Sequence, residues 1–357
     1  MSDLWSEMAK RAKPYEAGEQ SLRPGTVKLN TNENPYPPCP PVFKALESCL
    51  GSSLRTYPDP NSSTLRQAIA RLHGVNENQV FAGNGSDEVL GFAFMAFFRT
   101  DRTIRFPEVT YSFYPAYAQL FGIPYEKTAL REDFTIDEAR FFGSEGGVIF
   151  PNPNAPTGIV LPLSAVRDIC MNNGDRPVIV DEAYIDFGGE TAISAIAEFK
   201  NLLIVRTLSK SRSLAGLRVG YAVGQEDMIE ALNRVKNSFN SYPLDRLAQA
   251  AAQAAIEDES YFNETVSVIK RTRETAQETF VSLGFDVLPS SANFLFVRPP
   301  VLPAEQLYRE LKDRGILVRH FKQKKTEDWL RVSIGKEEEM AQLYRELADI
   351  LSAAIQT

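Results

Sequence analysis

The sequence predicts an α/β protein: a mostly parallel sheet covered by helices on both faces, followed by a smaller α+β domain. Three observations carry this expectation. Short apolar runs alternate with amphipathic stretches of helical period between Gln79 and Gly224. Those runs are apolar throughout rather than alternating, as strands covered on both faces are. Beyond Gly224 the alternation stops, and long helical stretches give way to further apolar runs with a helix among them.

The opening segment, residues 1–40, is rich in Pro and Asn ("LNTNENPYPPCPP" from Leu29) and reads as an extended arm. The large domain is expected over 41–240. Its strands are "QVFAG", "TIRFP", "GVIFPNP", "PVIVDEAY", "NLLIVRT" and "GYAVG", with helices such as "STLRQAIARLHG" and "LSAVRDICMNNG" between them. The run "VLGFAFMAFF" (Val89–Phe98) is too short to span a bilayer and reads as a buried helix. The small domain is expected over 241–357. A long helical region from Asp227 to Leu283, broken at "NSYPLD", leads into it. Three strand-like runs follow, "NFLFVRPP", "GILVRHF" and "WLRVSIG", and then a helical tail.

A chain of 357 residues can bury the core of a large and a smaller domain. Its net charge of −7 argues against a nucleic-acid-binding surface, and the basic run Lys322–Lys325 reads as solvated. Three dispersed cysteines and two histidines, with no C-x-x-C or H-x-x-x-H spacing, offer neither a disulfide framework nor a metal site. No apolar targeting segment or membrane span is present, so a soluble cytoplasmic protein is expected.

Four segments carry chemistry. "GNGSDE" (Gly83–Glu88) joins a strand to a helix, whose first amides and Ser86 can receive an anion or form an ordinary cap. "VIVDEAYIDF" places Asp181 at a strand exit, as a cap, a metal ligand or the partner of a buried cation, with Tyr184 three residues on. "FPNPNAPTG" ends a strand in a rigid turn whose Asn side chains can cap it. "TLSKSRSLAGLRVG" sets Lys210 just past a strand, beside Ser209 and near Arg218, as a Schiff-base former or a phosphate clamp. All lie at strand ends of one α/β domain, where ligands of open sheets bind. One cofactor, pyridoxal 5'-phosphate, asks for all of them: its phosphate, ring nitrogen, phenolate and aldehyde need different partners.

With "NENP", "RTYPDP", "NPNAPTG" and "WLRVSIG" in the same order, the sequence resembles the fold-type-I pyridoxal-phosphate aminotransferases over essentially its whole length. Within them it resembles the histidinol-phosphate aminotransferase family. The resemblance implies a seven-stranded sheet in the large domain. It implies that Lys210 forms the Schiff base with the cofactor, that Asp181 pairs with the ring nitrogen and that Tyr184 donates to the phenolate oxygen. Ser86, Asp87, Ser209 and Arg218 would line the phosphate end, with Asp87 contributing mainly backbone. Tyr111 would stack on the ring, and Tyr57 would reach the neighbouring subunit's cofactor in a homodimer. Ala155 stands where the family carries an Asn against the ring oxygen. Either Asn154 takes over that contact, or Tyr184 holds the oxygen with less help.

Arg331 occupies the position where aminotransferases of this fold hold a substrate carboxylate, and Arg319 ends the preceding strand. Two guanidinia suit a phosphate dianion. The expected reaction is therefore transamination of histidinol phosphate with 2-oxoglutarate, with Tyr15 covering the imidazole. An aromatic amino-acid aminotransferase and a threonine-phosphate decarboxylase are rivals on the same scaffold. A pyridoxal-phosphate-binding regulatory module would need a DNA-binding helix-turn-helix for which the arm has no room.

Overall fold

The computed structural model describes residues 4–14, 18–20 and 25–356. The chain enters through helix α1 (Glu7–Arg11) and a short strand β1 (Val27–Lys28), then helices α2 (Pro40–Cys49) and α3 (Ser63–His73). Strand β2 (Val80–Asn84) runs into α4 (Gly85–Phe97), and β3 (Ile104–Pro107) into α5 (Phe113–Phe121). Next come β4 (Tyr125–Thr128), β5 (Val148–Pro151), α6 (Leu163–Asn173), β6 (Val178–Asp181), β7 (Leu202–Thr207) and β8 (Val219–Gly224). Helices α7 (Glu226–Phe239), α8 (Arg246–Glu257) and α9 (Glu259–Ser282) lead to β9 (Asp286–Val287), β10 (Phe294–Arg298) and α10 (Ala304–Asp313). The chain closes with β11 (Ile316–Leu317), β12 (Arg319–His320), β13 (Leu330–Ser333) and α11 (Glu337–Gln356).

The large sheet has seven strands in the order β2-β8-β7-β6-β5-β3-β4. Only β8 runs antiparallel to its neighbours. The central strands are covered on both faces: Val178, Ile179 and Val180 of β6 and Leu202 through Val205 of β7 have no exposed surface. Burying each such side chain contributes roughly 1.5–3 kcal/mol before entropy is counted. The six strand runs read from the sequence all lie in this sheet. The seventh strand, β4, has the sequence YEKT and sits at the edge, where polar side chains discourage further pairing.

One expectation needs correction, and the packing bears on a second. Helix α8 lies past the boundary expected at 240, yet Ala248, Ala251, Ala252 and Ile256 are buried in the same core as Val42 of α2 and Leu65 and Ile69 of α3. Helix α8 thus continues the packing of α2 and α3 past residue 240, and Phe296 of β10 joins the same core. The run "GILVRHF" is two strands rather than one. Its first half, β11, pairs in parallel with β1, and its second half, β12, pairs with β13 in a four-stranded sheet ordered β12-β13-β10-β9. The first pairing ties the N-terminal arm to the small domain. Leu29, Asn30 and Asn32 of that arm are buried, so its second half is part of the structure's wall rather than a loose extension.

Candidate active site

Parallel strands deliver their last residues to one rim of the sheet. Asp181 ends β6, and Lys210 lies three residues beyond β7. Both line a cavity of about 280 Å³ between the sheet and the small domain. Asp181 is 3% exposed, and burial pushes its carboxyl up to about 7. Two hydrogen bonds oppose that rise: Tyr114 donates its hydroxyl at 3.0 Å, and the amide of Ala183 donates at 3.2 Å. A carboxylate poised in this way takes a cationic N–H as a partner that offsets its desolvation.

Lys210 donates from Nζ to the carbonyl of Thr31 at 3.0 Å. Burial, then the charge of Arg331, pulls its amine down to about 8, while Glu33 and Asp87 act in the opposite direction. An amine with this ionisation is a nucleophile and a base at neutral pH. Tyr184 is 9% exposed, and its hydroxyl accepts from Asn32 Nδ2 at 2.9 Å. Burial raises its pKa, which keeps the phenol protonated and able to donate.

The anion end is built where β2 turns into α4. The first amides of that 13-residue helix have no intrahelical acceptors and carry the positive end of its dipole. Two glycines allow the close packing. A Cβ on Gly220 of β8 would lie 2.3 Å from the amide nitrogen of Ser86. Gly85 has a positive φ of 77°, and a Cβ there would lie 2.7 Å from the Arg218 guanidinium. Arg218 itself adopts the left-handed region, at φ 53°, reaching Asp87 at 2.7 Å and Ser209 Oγ at 3.5 Å. The other carboxylate oxygen of Asp87 accepts from the Tyr111 hydroxyl at 2.7 Å. The Asp87 carboxylate thus orients a guanidinium and an aromatic ring.

The opposite end of the cavity is cationic. Arg319 and Arg331 face each other across the β12–β13 pair, a register that sets like charges side by side at a cost of roughly 0.2–1 kcal/mol. A ligand dianion between them removes that repulsion. Arg331 donates to the carbonyl of Asn30 at 2.8 Å, and both guanidinia lie beside the Phe321 ring.

The cavity therefore collects Ser86, Asp87, Tyr111, Asp181, Tyr184 and Ser209, together with Lys210, Arg218, Arg319 and Arg331. Asn154 is not among them. Its amide donates to the carbonyl of Val109 at 3.1 Å and to Thr157 Oγ1 at 3.2 Å, so it braces the turn and faces a separate cavity. Ala155 lines the main cavity instead. Tyr57 lies outside it, 78% exposed and stacked on Tyr242 at 4.6 Å. Tyr15 lies outside the described residues.

The segment Asn30–Asn34, noted in the sequence only as part of the arm and the motif "NENP", received no role there. It supplies the acceptor for Lys210, the donor to Tyr184 and the acceptor for Arg331, and Asn34 donates to the carbonyls of Lys210 and Ser211. Asn32 holds its own place through Ser333 and Asn293, with a positive φ of 56° that Asn tolerates better than most residues. The motif "NTNENP" was the available signal. Also missed was Asp186, which joins Arg206 and the Ser211 hydroxyl behind the cavity and so ties the Tyr184 loop to the Lys210 loop. The donor set fits pyridoxal 5'-phosphate: an anion cradle, a buried carboxyl, a phenol donor and a depressed lysine stand in one cavity.

The family model described as aminotransferase class I and II matches residues 24–347. A histidinol-phosphate aminotransferase 1 from Hydrogenovibrio crunogenus is 52% identical over 351 residues, covering 98% of this chain and 99% of the relative. That from Pseudomonas aeruginosa is 53% identical over 339 residues, covering 95% and 97%. Among solved structures, the Sinorhizobium meliloti histidinol-phosphate aminotransferase in complex with pyridoxal-5'-phosphate aligns with a TM-score of 0.89 at 23% identity, covering 99% of each chain.

Proposed function

The chain belongs to the histidinol-phosphate aminotransferase family, and from that premise we propose how its residues divide the work of transamination. The reaction passes the amino group of histidinol phosphate to 2-oxoglutarate, giving imidazole acetol phosphate and glutamate in histidine biosynthesis. Pyridoxal 5'-phosphate, when bound, supplies the aldehyde that carries the amino group and the ring that accepts electrons from the substrate Cα.

Lys210 would hold the cofactor through Nζ, and the same nitrogen, when free, would serve as the base for the Cα proton of the donor. Its depressed pKa of about 8 gives it a far larger neutral, basic fraction near neutral pH than an ordinary lysine has. Asp181 would pair with the protonated ring nitrogen and be held anionic there, since a cationic partner opposes the effect of burial. Tyr184 donates to the phenolate oxygen, with its hydroxyl aimed by Asn32. Ser86, Ser209, Arg218 and the start of α4 would hold the cofactor phosphate, and Tyr111 would pack against the ring.

Arg319 and Arg331 hold the donor phosphate and then the carboxylates of 2-oxoglutarate. The single observation that carries this substrate reading is the facing pair of guanidinia in the same cavity as Lys210. Tyr57, outward-facing and exposed, serves the partner's cofactor in a homodimer. Among the described residues no helix is long and apolar enough to cross a membrane, and we place the enzyme in the cytoplasm.

The test is donor discrimination. Losing a charge-assisted hydrogen bond costs about 1.5–3 kcal/mol, so Arg319→Ala should lower kcat/KM for histidinol phosphate about 10- to 100-fold. Phenylalanine and tyrosine as donors should lose much less. Arg331→Ala should harm every donor, glutamate included. Equal losses for phosphorylated and carboxylated donors in Arg319→Ala would favour an aromatic aminotransferase.

A further inference from the structure

Outside the cavity lies a second, larger hollow of about 770 Å³. Asn30 and Arg319 belong to both, so the hollow is the approach to the inner site. Its walls bring together lysines that are remote in sequence: Lys13 beyond α1, Lys127 on the edge strand β4 and Lys322 just past β12. All three are exposed, and none is in an ion pair among the described residues. The two carboxylates in the walls are already matched, Glu19 with Lys312 at 2.9 Å and Glu305 with Arg309 at 2.6 Å. The wall is therefore locally cationic on a chain whose net charge is −7. The basic run Lys322–Lys325, expected to be merely solvated, splits between two duties. Lys325 pairs with Glu108 at 2.8 Å, and Lys322 faces the hollow.

We propose that this hollow is an outer anion-binding subsite, which gathers phosphate or dicarboxylate dianions and passes them to Arg319. A concave wall of one sign raises the local concentration of an oppositely charged ligand and speeds its capture. The effect is screened at physiological salt because the lysines are exposed. Of the two substrates of the proposed reaction, histidinol phosphate carries a phosphate dianion and 2-oxoglutarate two carboxylates, and the proposal rests on that reading. Arg319 is the only cation shared by the two chambers among the described residues, which makes it the hand-over point.

The experiment uses the holoenzyme carrying Lys127→Glu and Lys322→Glu together, with the milder pair Lys127→Gln and Lys322→Gln as a second variant. Neither lysine touches the inner cavity, so kcat should be unchanged. At low ionic strength kcat/KM for histidinol phosphate should fall about tenfold in the Glu pair and less in the Gln pair. The gap should close as salt is added, and histidinol without its phosphate should be nearly unaffected. Wild-type values and an unchanged salt dependence in the Glu pair would overturn the proposal. Calorimetric binding of inorganic phosphate to wild type and variants separates this idea from the substrate assignment. Weakened binding in the variants supports the subsite whichever donor proves correct, and equal binding overturns it.

Discussion

Replacing Arg331 with methionine should move the ionisation of Lys210 toward that of an ordinary lysine. The amine stands at about 8, with burial as the leading cause and the Arg331 charge as the next. At pH 7.5 such an amine is about one-quarter neutral, against roughly one part in a thousand for an unperturbed lysine near 10.4. The reactive fraction therefore differs by about two hundredfold. A unit charge within a few side-chain lengths, acting through an effective dielectric of about 20, contributes on the order of 1–2 kcal/mol, or about one pH unit. Arg331→Met should thus carry the midpoint from about 8 to about 9, while Arg331→Lys, which keeps the charge, should leave it in place. The assay is the rate at which apoenzyme captures excess pyridoxal 5'-phosphate, followed by stopped-flow absorbance from pH 6 to 10. The wild-type rate should climb and level off above pH 8. A wild-type rate still rising tenfold per pH unit beyond pH 9 would refute the depressed lysine, and with it the role of the Arg331 charge.

Asp181 carries the opposite sign. Its folded carboxyl is raised from 3.8 to about 7, so between those values the folded apoenzyme holds a proton that the unfolded chain has lost. The resulting stabilisation is complete below about pH 4 and is lost as pH rises through 7, about 4 kcal/mol in all. Urea unfolding of apo Asp181→Asn should therefore show a flatter pH profile than wild type; parallel profiles would contradict the buried, raised carboxyl. Mixed dimers of Tyr57→Phe and Lys210→Ala chains should regain about one working site per dimer, and folded mixed dimers without activity would assign Tyr57 to its own subunit.

The positions of Asp181, Tyr184 and Lys210 were legible because wholly apolar runs mark buried parallel strands, and the residues just past such runs gather at one rim. Arg331 was legible from the resemblance, as the carboxylate-holding position inside the run "WLRVSIG", and Arg319 from its place at the end of the preceding run. Asn32 was not. Its contact with Tyr184 spans 152 residues of sequence and depends on β1 pairing with β11, which two-residue strands do not announce. Tyr114 lies on α5 in a helix of mostly apolar residues, where a tyrosine reads as core until its hydroxyl is seen against Asp181. Strand β4 is polar because it is an edge. Asn154 shows the limit at a tight turn, where composition cannot say which of two adjacent side chains faces the cavity; Val109 and Thr157 claim the amide, and Ala155 is left facing the ring site.

The central claim is that one cavity holds the cofactor through Lys210 and Asp181 and accepts a phosphorylated amine between Arg319 and Arg331. A half-reaction tests it most directly: holoenzyme is mixed with histidinol phosphate, without an acceptor, while the visible absorption of the bound cofactor is followed. The band should disappear with one donor consumed per chain, return on adding 2-oxoglutarate, and respond far more weakly to phenylalanine at the same concentration. A band left unchanged by histidinol phosphate but bleached by phenylalanine would contradict the claim.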